Sequence, residues 1–366
     1  MEALRDTIVK VDLKELGRNM DLIAELCGPN VAIMPVIKAN GYGLGAVGIA
    51  PTLIEHGAAY LGVATLTEAL ELRKAYPEYP IFILGYTPDR FNEYVVEAGI
   101  TQTVVNFDQA KALSDCALSK GKKLTVHLKV DTGFHRLGTS DREELLKMAQ
   151  LPGLLVEGIF SHLALASEEE DIAQFEMLEA IIEYLEAKGC SFRYKHIADS
   201  IALVNYPGFR MNMVRPGALV YGLKGYRRGF IDVRPCMSVE TRISQIHTLS
   251  EGEGVGYDFL WKAPKDGTRV GAVPIGYADG YPRNMRDKGY VTIRGTKCPV
   301  VGVICMDQMM IDLNGCPEAQ VGDTAIVYGD GSGNTMSIEE ASKLAGTNKN
   351  EIIARILARP PRVYIK

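Results

Sequence analysis

The chain lacks the features that mark several broad protein classes. Its seven cysteines, at positions 27, 116, 190, 236, 298, 305 and 316, are odd in number and include no Cys-x-x-Cys pair. Neither a disulfide framework nor a zinc site is indicated; no metal is expected, and reduced thiols suit a cytoplasmic setting. No apolar run approaches the ~20 residues that span a bilayer, and no signal-like leader opens the sequence. These residues therefore imply no membrane contact of their own, although a cytoplasmic domain cut from a longer membrane-anchored parent would read the same way. Positive charge is not in excess either: the net charge is −5, which argues against nucleic acid as a partner.

What is present is the composition of a globular domain, 47% hydrophobic and 23% charged. A length of 366 residues exceeds one comfortable core and suggests two domains. Asp12 sits where an N-cap would, ahead of helical spacing over 13–26. From there apolar runs alternate with helical patterns. Strands are expected at 31–37, 59–64, 81–84, 101–105, 124–130, 154–160, 192–197 and 211–214. Helices between them are expected at 46–56, 66–75, 108–120, 141–150 and 168–188. Eight such units read as a (β/α)8 TIM barrel of the α/β class. Beyond Arg234 short strands at 238–248, 268–274, 290–293, 298–304, 309–313 and 323–328, with one late helix at 337–345, read as a mainly β C-terminal domain. The division falls at 1–232 and 233–366, with the opening strand 7–11 a candidate member of the second domain.

Barrel enzymes build their sites where strands end. Lys38 follows the first barrel strand, Asp131 and Arg136 the fifth, His162 the sixth, Ser200 the seventh, and Arg215 and Gly217 the eighth. The loops after the last two strands are the usual phosphate site of such barrels, so a phosphorylated ligand is expected. The stretch 31–43 is the most informative. An apolar strand runs into Lys38, then Ala-Asn-Gly-Tyr-Gly. A lysine leaving a buried strand has a lowered pKa and a nucleophilic amine suited to an aldehyde. Alone, it reads more readily as a strand cap reaching solvent. The glycines beyond it let backbone N–H groups approach an anion, and Tyr42 can donate to a phosphate oxygen.

This segment resembles the pyridoxal-phosphate lysine motif of the alanine racemase family, in which lysine is followed by Ala-Asn-x-Tyr-Gly. The resemblance extends in family order through Asp131-Thr132-Gly133 with Arg136-Leu137-Gly138, Ser161-His162, Arg215-Pro216-Gly217, Gly256-Tyr257, the Ile-Gly-Tyr-Ala-Asp-Gly-Tyr run at 275–281, and Met306-Asp307-Gln308. It implies pyridoxal 5′-phosphate as cofactor and Lys38 and Tyr257 as two catalytic bases on opposite faces of it. It further implies a homodimer with shared active sites, because Tyr257 comes from the partner subunit. Arg215 is implied at the pyridine nitrogen. Arg136 is implied at the phenolic oxygen and the substrate carboxylate, with the Met306 N–H as a second carboxylate donor. Tyr42, Ser200, Gly217 and the Ala218 backbone are implied around the phosphate. His162 is implied near the cofactor, where it and Arg215, as cationic or hydrogen-bonding groups, would help Tyr257, since a phenol titrates near ~10. In several relatives a lysine at the place of Lys129 is carbamylated and holds the arginine that corresponds to Arg136.

Three positions depart from the family pattern. Leu44 stands where most relatives have histidine, Asp199 replaces a common asparagine, and Asn350 aligns with a tyrosine that closes the pocket around a methyl side chain. A shorter amide leaves room for, and can pair with, a hydroxymethyl group. The serine racemases of vancomycin-resistant bacteria, which carry a membrane domain ahead of the racemase domain, are similar in this respect. The expected substrate is therefore the small amino acid serine beside alanine, racemised for peptidoglycan precursors. The competing reading is a pyridoxal-phosphate decarboxylase of the same barrel-plus-β architecture, which would not need Tyr257 as a second base.

Overall fold

The structure is a computed structural model and describes residues 4–366. The first strand, β1 (Ile8–Asp12), leads into a helix at Leu13–Cys27 whose first turn is capped by Asp12, its carboxylate accepting from Glu15 N at 3.0 Å. The barrel strands come next in the expected order: β2 (Ala32–Ile33), β3 (Leu61–Val63), β4 (Ile81–Ile83), β5 (Thr101–Val104), β6 (Leu124–Lys129), β7 (Leu154–Phe160), β8 (Tyr194–His196) and β9 (Met213–Val214). Strands β3 to β8 form a parallel six-stranded sheet, and β2 pairs in parallel with β9. Isolated bridges Ile33–Ala58, Val36–Gly62 and Asp199–Arg215 join the two sheets and close the barrel.

The first barrel strand is shorter than the run 31–37 suggests. Pro35 has no N–H and interrupts the ladder, yet pairing continues around it, with Met34 N donating to Val214 O at 2.9 Å and Val36 N to Pro216 O at 2.8 Å. The interior is packed, not open. Met34, Tyr60, Phe82, Phe160 and Met213 form one buried cluster inside it, and the rings of His127 and His196 lie 4.7 Å from those of Phe82 and Phe160 respectively. Short polar caps start the surrounding helices. Thr65 and Glu68 make a reciprocal capping box for Leu66–Ala75, Asn106 caps Phe107–Ser119, and Ser167 caps Glu168–Ala187, whose acidic first turn suits the helix dipole.

The second domain comprises β10 (Met237–Arg242), β11 (Gln245–Leu249), β12 (Gly254–Val255), β13 (Trp261–Lys262), β14 (Thr268–Val273), β15 (Tyr290–Ile293), β16 (Thr296–Val301), β17 (Met309–Asp312), β18 (Thr324–Tyr328) and β19 (Arg362–Ile365). Its main sheet has the order β11-β14-β17-β16-β15-β18-β10-β1-β19. The single strand expected at 238–248 is two. At Ile243 and Ser244 the chain changes neighbours, Ile243 N donating to Asp323 O at 3.0 Å and Ser244 N to Ala272 O at 2.9 Å. The opening strand β1 belongs to this sheet, antiparallel to β10 and parallel to β19. Arg5 reinforces the tie, forking onto both carboxylate oxygens of Asp279 at 2.6 and 2.8 Å. A hairpin of β12 and β13 carries the Tyr257 turn; it was not expected from the sequence, nor were β19 and the helix at Lys349–Ala354. All seven cysteines are free thiols. Among the described residues no helix is long and apolar enough to cross a membrane, and no cluster of three metal-ligating side chains occurs.

Candidate active site

The turn after β2 is conformationally unusual. Ala39, Asn40, Gly41 and Tyr42 all have positive φ, between 52° and 64°, a left-handed turn that L-residues adopt only at a cost of roughly 1–2 kcal/mol each. It is held from outside itself. Ala39 N donates to Glu68 Oε1 at 2.7 Å, and the side chain of Asn40 accepts from Ala46 N at 2.9 Å. The turn leaves Lys38 exposed at a cavity mouth while Tyr42 points inward and is buried.

That cavity is lined by Lys38, Tyr42, Arg136, His162, Ser200, Arg215, Gly217 and Ala218, the eight barrel residues implied around the cofactor, and by Lys129, whereas Asp131 does not line it. Asn350 lines it as well. Tyr257 and Met306 do not line it. Each is exposed on the β domain, at 65% and 52%, outside the wall of this chain's own cavity. Wall residues that were not singled out as ligands include Lys349, Leu223 and Asp199, the last noted only as a departure. Glu68 was also missed, because its capping box is a sufficient local explanation for it.

Partial burial pushes the Lys38 amine below the usual lysine range; Arg136 adds to this and Glu68 opposes it. Burial and the neighbouring Asp199 raise Tyr42 to about 12, so it remains a proton donor at neutral pH. Its ring packs 4.8 Å from that of Tyr221, whose hydroxyl is anchored on Val36 O at 2.9 Å. A Cβ at position 217 would stand 2.6 Å from the Tyr42 hydroxyl, so only glycine leaves the phenol its place. Ser200 Oγ accepts from Gly217 N at 2.8 Å and Leu219 N at 3.2 Å. Both lone pairs are then engaged and its own O–H is left to donate. Because the Gly217 N–H is committed to Ser200, Gly217 shapes the cavity rather than supplying a donor to it.

Arg215 is 5% exposed. It donates to His196 Nδ1 at 2.6 Å, Ser161 O at 2.8 Å and Ile197 O at 3.1 Å. Burial lowers it to about 10, with Asp199 resisting, so it stays a cation at neutral pH. Lys129, on β6, is 6% exposed and falls to about 7 through burial and the charge of Arg215. His162 is pushed down to about 2, first by burial and then by Arg215, Arg136, Lys129 and Lys38. It is therefore a neutral imidazole, and of the two roles expected for it, cation or hydrogen-bonding group, the second is the one its surroundings favour. The wall thus carries Lys38, Lys129, Arg136, Arg215 and Lys349 against the carboxylate of Asp199, an electropositive cup in a chain of net charge −5.

A closed α/β barrel with a lysine on a strained turn at its mouth, a phosphate-sized cradle of hydroxyls and glycine, and a β domain after it is the architecture of a lysine-tethered cofactor enzyme. Comparison with known proteins makes the assignment specific. Residues 11–225 match the family model for the alanine racemase N-terminal domain and residues 236–364 that for the C-terminal domain. The alanine racemase of Desulforamulus reducens is 38% identical over 367 residues, covering 97% of this chain and 98% of that one. Among solved structures, alanine racemase of Clostridium difficile 630 superposes with a TM-score of 0.95 at 33% identity, covering 100% of this chain and 97% of that one. The enzyme from Bacillus anthracis with bound L-Ala-P gives 0.94 at 31% identity, covering 100% and 96%. The chain belongs to the alanine racemase family. It is an amino-acid racemase of a family that works with pyridoxal 5′-phosphate, and the decarboxylase alternative is not favoured. The donor set fits that cofactor: an amine for the aldehyde, hydroxyls and a glycine gap for the phosphate, and cations for its remaining oxygens.

Proposed function

We propose that the protein interconverts the L and D forms of alanine and serine by a two-base mechanism in a homodimer with shared sites. The observation that carries this reading is the convergence of Lys38, Tyr42, Arg136, Ser200 and Arg215 on one cavity while Tyr257 stands exposed outside it. Pyridoxal phosphate, when bound, supplies the electron sink that acidifies the substrate's Cα–H bond. The chain's own residues handle the protons and hold the substrate. Lys38, with its lowered pKa, takes or returns the proton on one face. Tyr257 of the partner subunit does the same on the opposite face. Arg136 offers a planar fork to the substrate carboxylate, and the partner's Met306 N–H would be its second donor. Arg215 would hold the cofactor's pyridine end as a donor, since it does not give up its proton near neutral pH. Tyr42 and Ser200 would donate to the phosphate, with Ala218 beside them.

Asn350 in the cavity wall supports serine as a substrate, because its amide can pair a hydroxymethyl group that an apolar wall would leave unsatisfied. In this respect the chain is similar to the serine racemases of vancomycin-resistant bacteria. The products would feed peptidoglycan precursors in the cytoplasm. The test is the decay of circular dichroism of L-alanine and L-serine on incubation with the purified chain. Loss of optical activity with both substrates, abolished by Lys38→Ala, is expected. Retention of the L-serine signal while L-alanine decays would remove serine from the proposal, and retention of both would remove racemisation by this site.

A further inference from the structure

Lys349 is a cation of the cavity wall that the proposed mechanism leaves without a task. It lies in the helix Lys349–Ala354 of the second domain and reaches across to the loop after β9. Its Nζ donates to the carbonyl of Lys224, and a Cβ at Gly225 would collide with it, so the glycine is the space in which the ammonium sits. The same wall segment contains Asp199, Ser200 and Ile201 after β8, together with Gly217 and Ala218 after β9. This is the end of the cavity assigned to the phosphate, remote in sequence from Arg136 and the β6 loop.

The other donors at this end are neutral: the Tyr42 and Ser200 hydroxyls and backbone N–H groups. A phosphate monoester carries close to two negative charges at neutral pH, and the nearest formal charge among those residues is the carboxylate of Asp199, which is occupied with Ile201 N and Ala202 N at 2.9 and 3.0 Å. A dianion beside a carboxylate needs a cation. We propose that Lys349 supplies it, as a phosphate-binding residue of the cofactor site that couples cofactor retention to docking of the second domain. Partial burial lowers the Lys349 ammonium below its ordinary range, with Glu339 and Asp199 holding it up; an incoming phosphate relieves that penalty.

This inference rests on the cavity being the cofactor pocket, and the test separates the two. Dissociation constants of pyridoxal phosphate and of pyridoxal, which lacks the phosphate, are measured on cofactor-stripped full-length wild type, K349Q, K349R and S200A at low and high salt. K349Q is expected to weaken pyridoxal phosphate about tenfold, to leave pyridoxal unchanged and to flatten the salt dependence; K349R is expected to keep most of the affinity. If S200A weakens only the phosphorylated ligand while K349Q affects both equally or neither, the role of Lys349 is overturned and the pocket stands. If neither variant distinguishes the two ligands, the pocket assignment itself is wrong and this inference falls with it. Thermal melting of each variant checks that the comparison is between folded chains.

Discussion

Arg215 donates to Nδ1 of His196 at 2.6 Å, and Nε2 of the same ring lies 2.8 Å from Nδ1 of His127. A guanidinium can only donate, so His196 must accept at Nδ1 and carry its proton on Nε2. His127 is then the acceptor at Nδ1 and presents Nε2–H toward Glu157 Oε2 at 3.5 Å. A single tautomer sequence therefore runs down the barrel axis from the cofactor pocket to Glu157, where Arg193 arrives from the surface at 3.3 Å. Replacing His196 by Phe keeps the volume and removes the acceptor. A loss of about 1.5–3 kcal/mol in urea unfolding is expected, the range for a hydrogen bond to a charged group. An unchanged midpoint would show that Arg215 does not depend on this partner.

Acid should destabilise the fold before its carboxylates titrate. Burial lowers His127, His162 and His196 below their ordinary value, to about 2 for His162. The unfolded chain therefore binds more protons than the folded one once pH drops below about 6.5, and stability falls with falling pH from there. Urea midpoints measured from about pH 7 to about pH 5 should decline, and more shallowly in His162→Gln.

Lys129 combines near-complete burial with a pKa brought to about 7, so near neutrality much of it is a free amine. Such an amine adds carbon dioxide to give a carbamate anion, which would answer the charge of Arg136 beside it. Carbon NMR in labelled bicarbonate at about pH 8, where a group of that pKa is mostly neutral, should show one carbamate carbonyl that is missing in Lys129→Arg. Its absence in wild type would remove this modification from the account.

The amide of Asn350 is expected to set the choice between serine and alanine. Asn350→Tyr should lower the serine-to-alanine ratio of kcat/KM by roughly tenfold or more, since the hydroxyl of serine would lose its partner and its space. A ratio that does not move would place the discrimination elsewhere in the wall.

Shared sites can be tested by mixing. Lys38→Ala and Tyr257→Phe chains should each be inactive alone. Dissociated and reassociated together, they should form hybrids with one intact site of two, giving roughly a quarter of wild-type activity. No recovery would mean that both residues must come from the same chain.

Much of the barrel was legible because strands buried on both faces leave unbroken apolar runs, and because the polar residues at their ends stood in register with a known set of motifs. The eight cavity residues were found that way. What escaped had specific causes. A histidine inside a strand, such as His127 or His196, reads the same whether it meets another imidazole or solvent. Glu68 satisfies a capping box and so hides its second contact, to Ala39 N. Lys349 lies in a segment with no apolar period and comes to the cavity only because the second domain folds back over it. Whether His162 would be a cation or a neutral hydrogen-bonding group stayed open because the sequence cannot show how many cations will surround one ring.

The placement of β1 between β10 and β19 has a consequence for synthesis of the chain. Residues 8–12 are made well before both of their partners, so one ladder waits for β10 and the other for β19. A truncation after residue 232 would therefore strand an unpaired sticky edge on an otherwise complete barrel. A cut between the two domains would therefore part strands that are laced into one sheet, β1 on one side and β10 and β19 on the other.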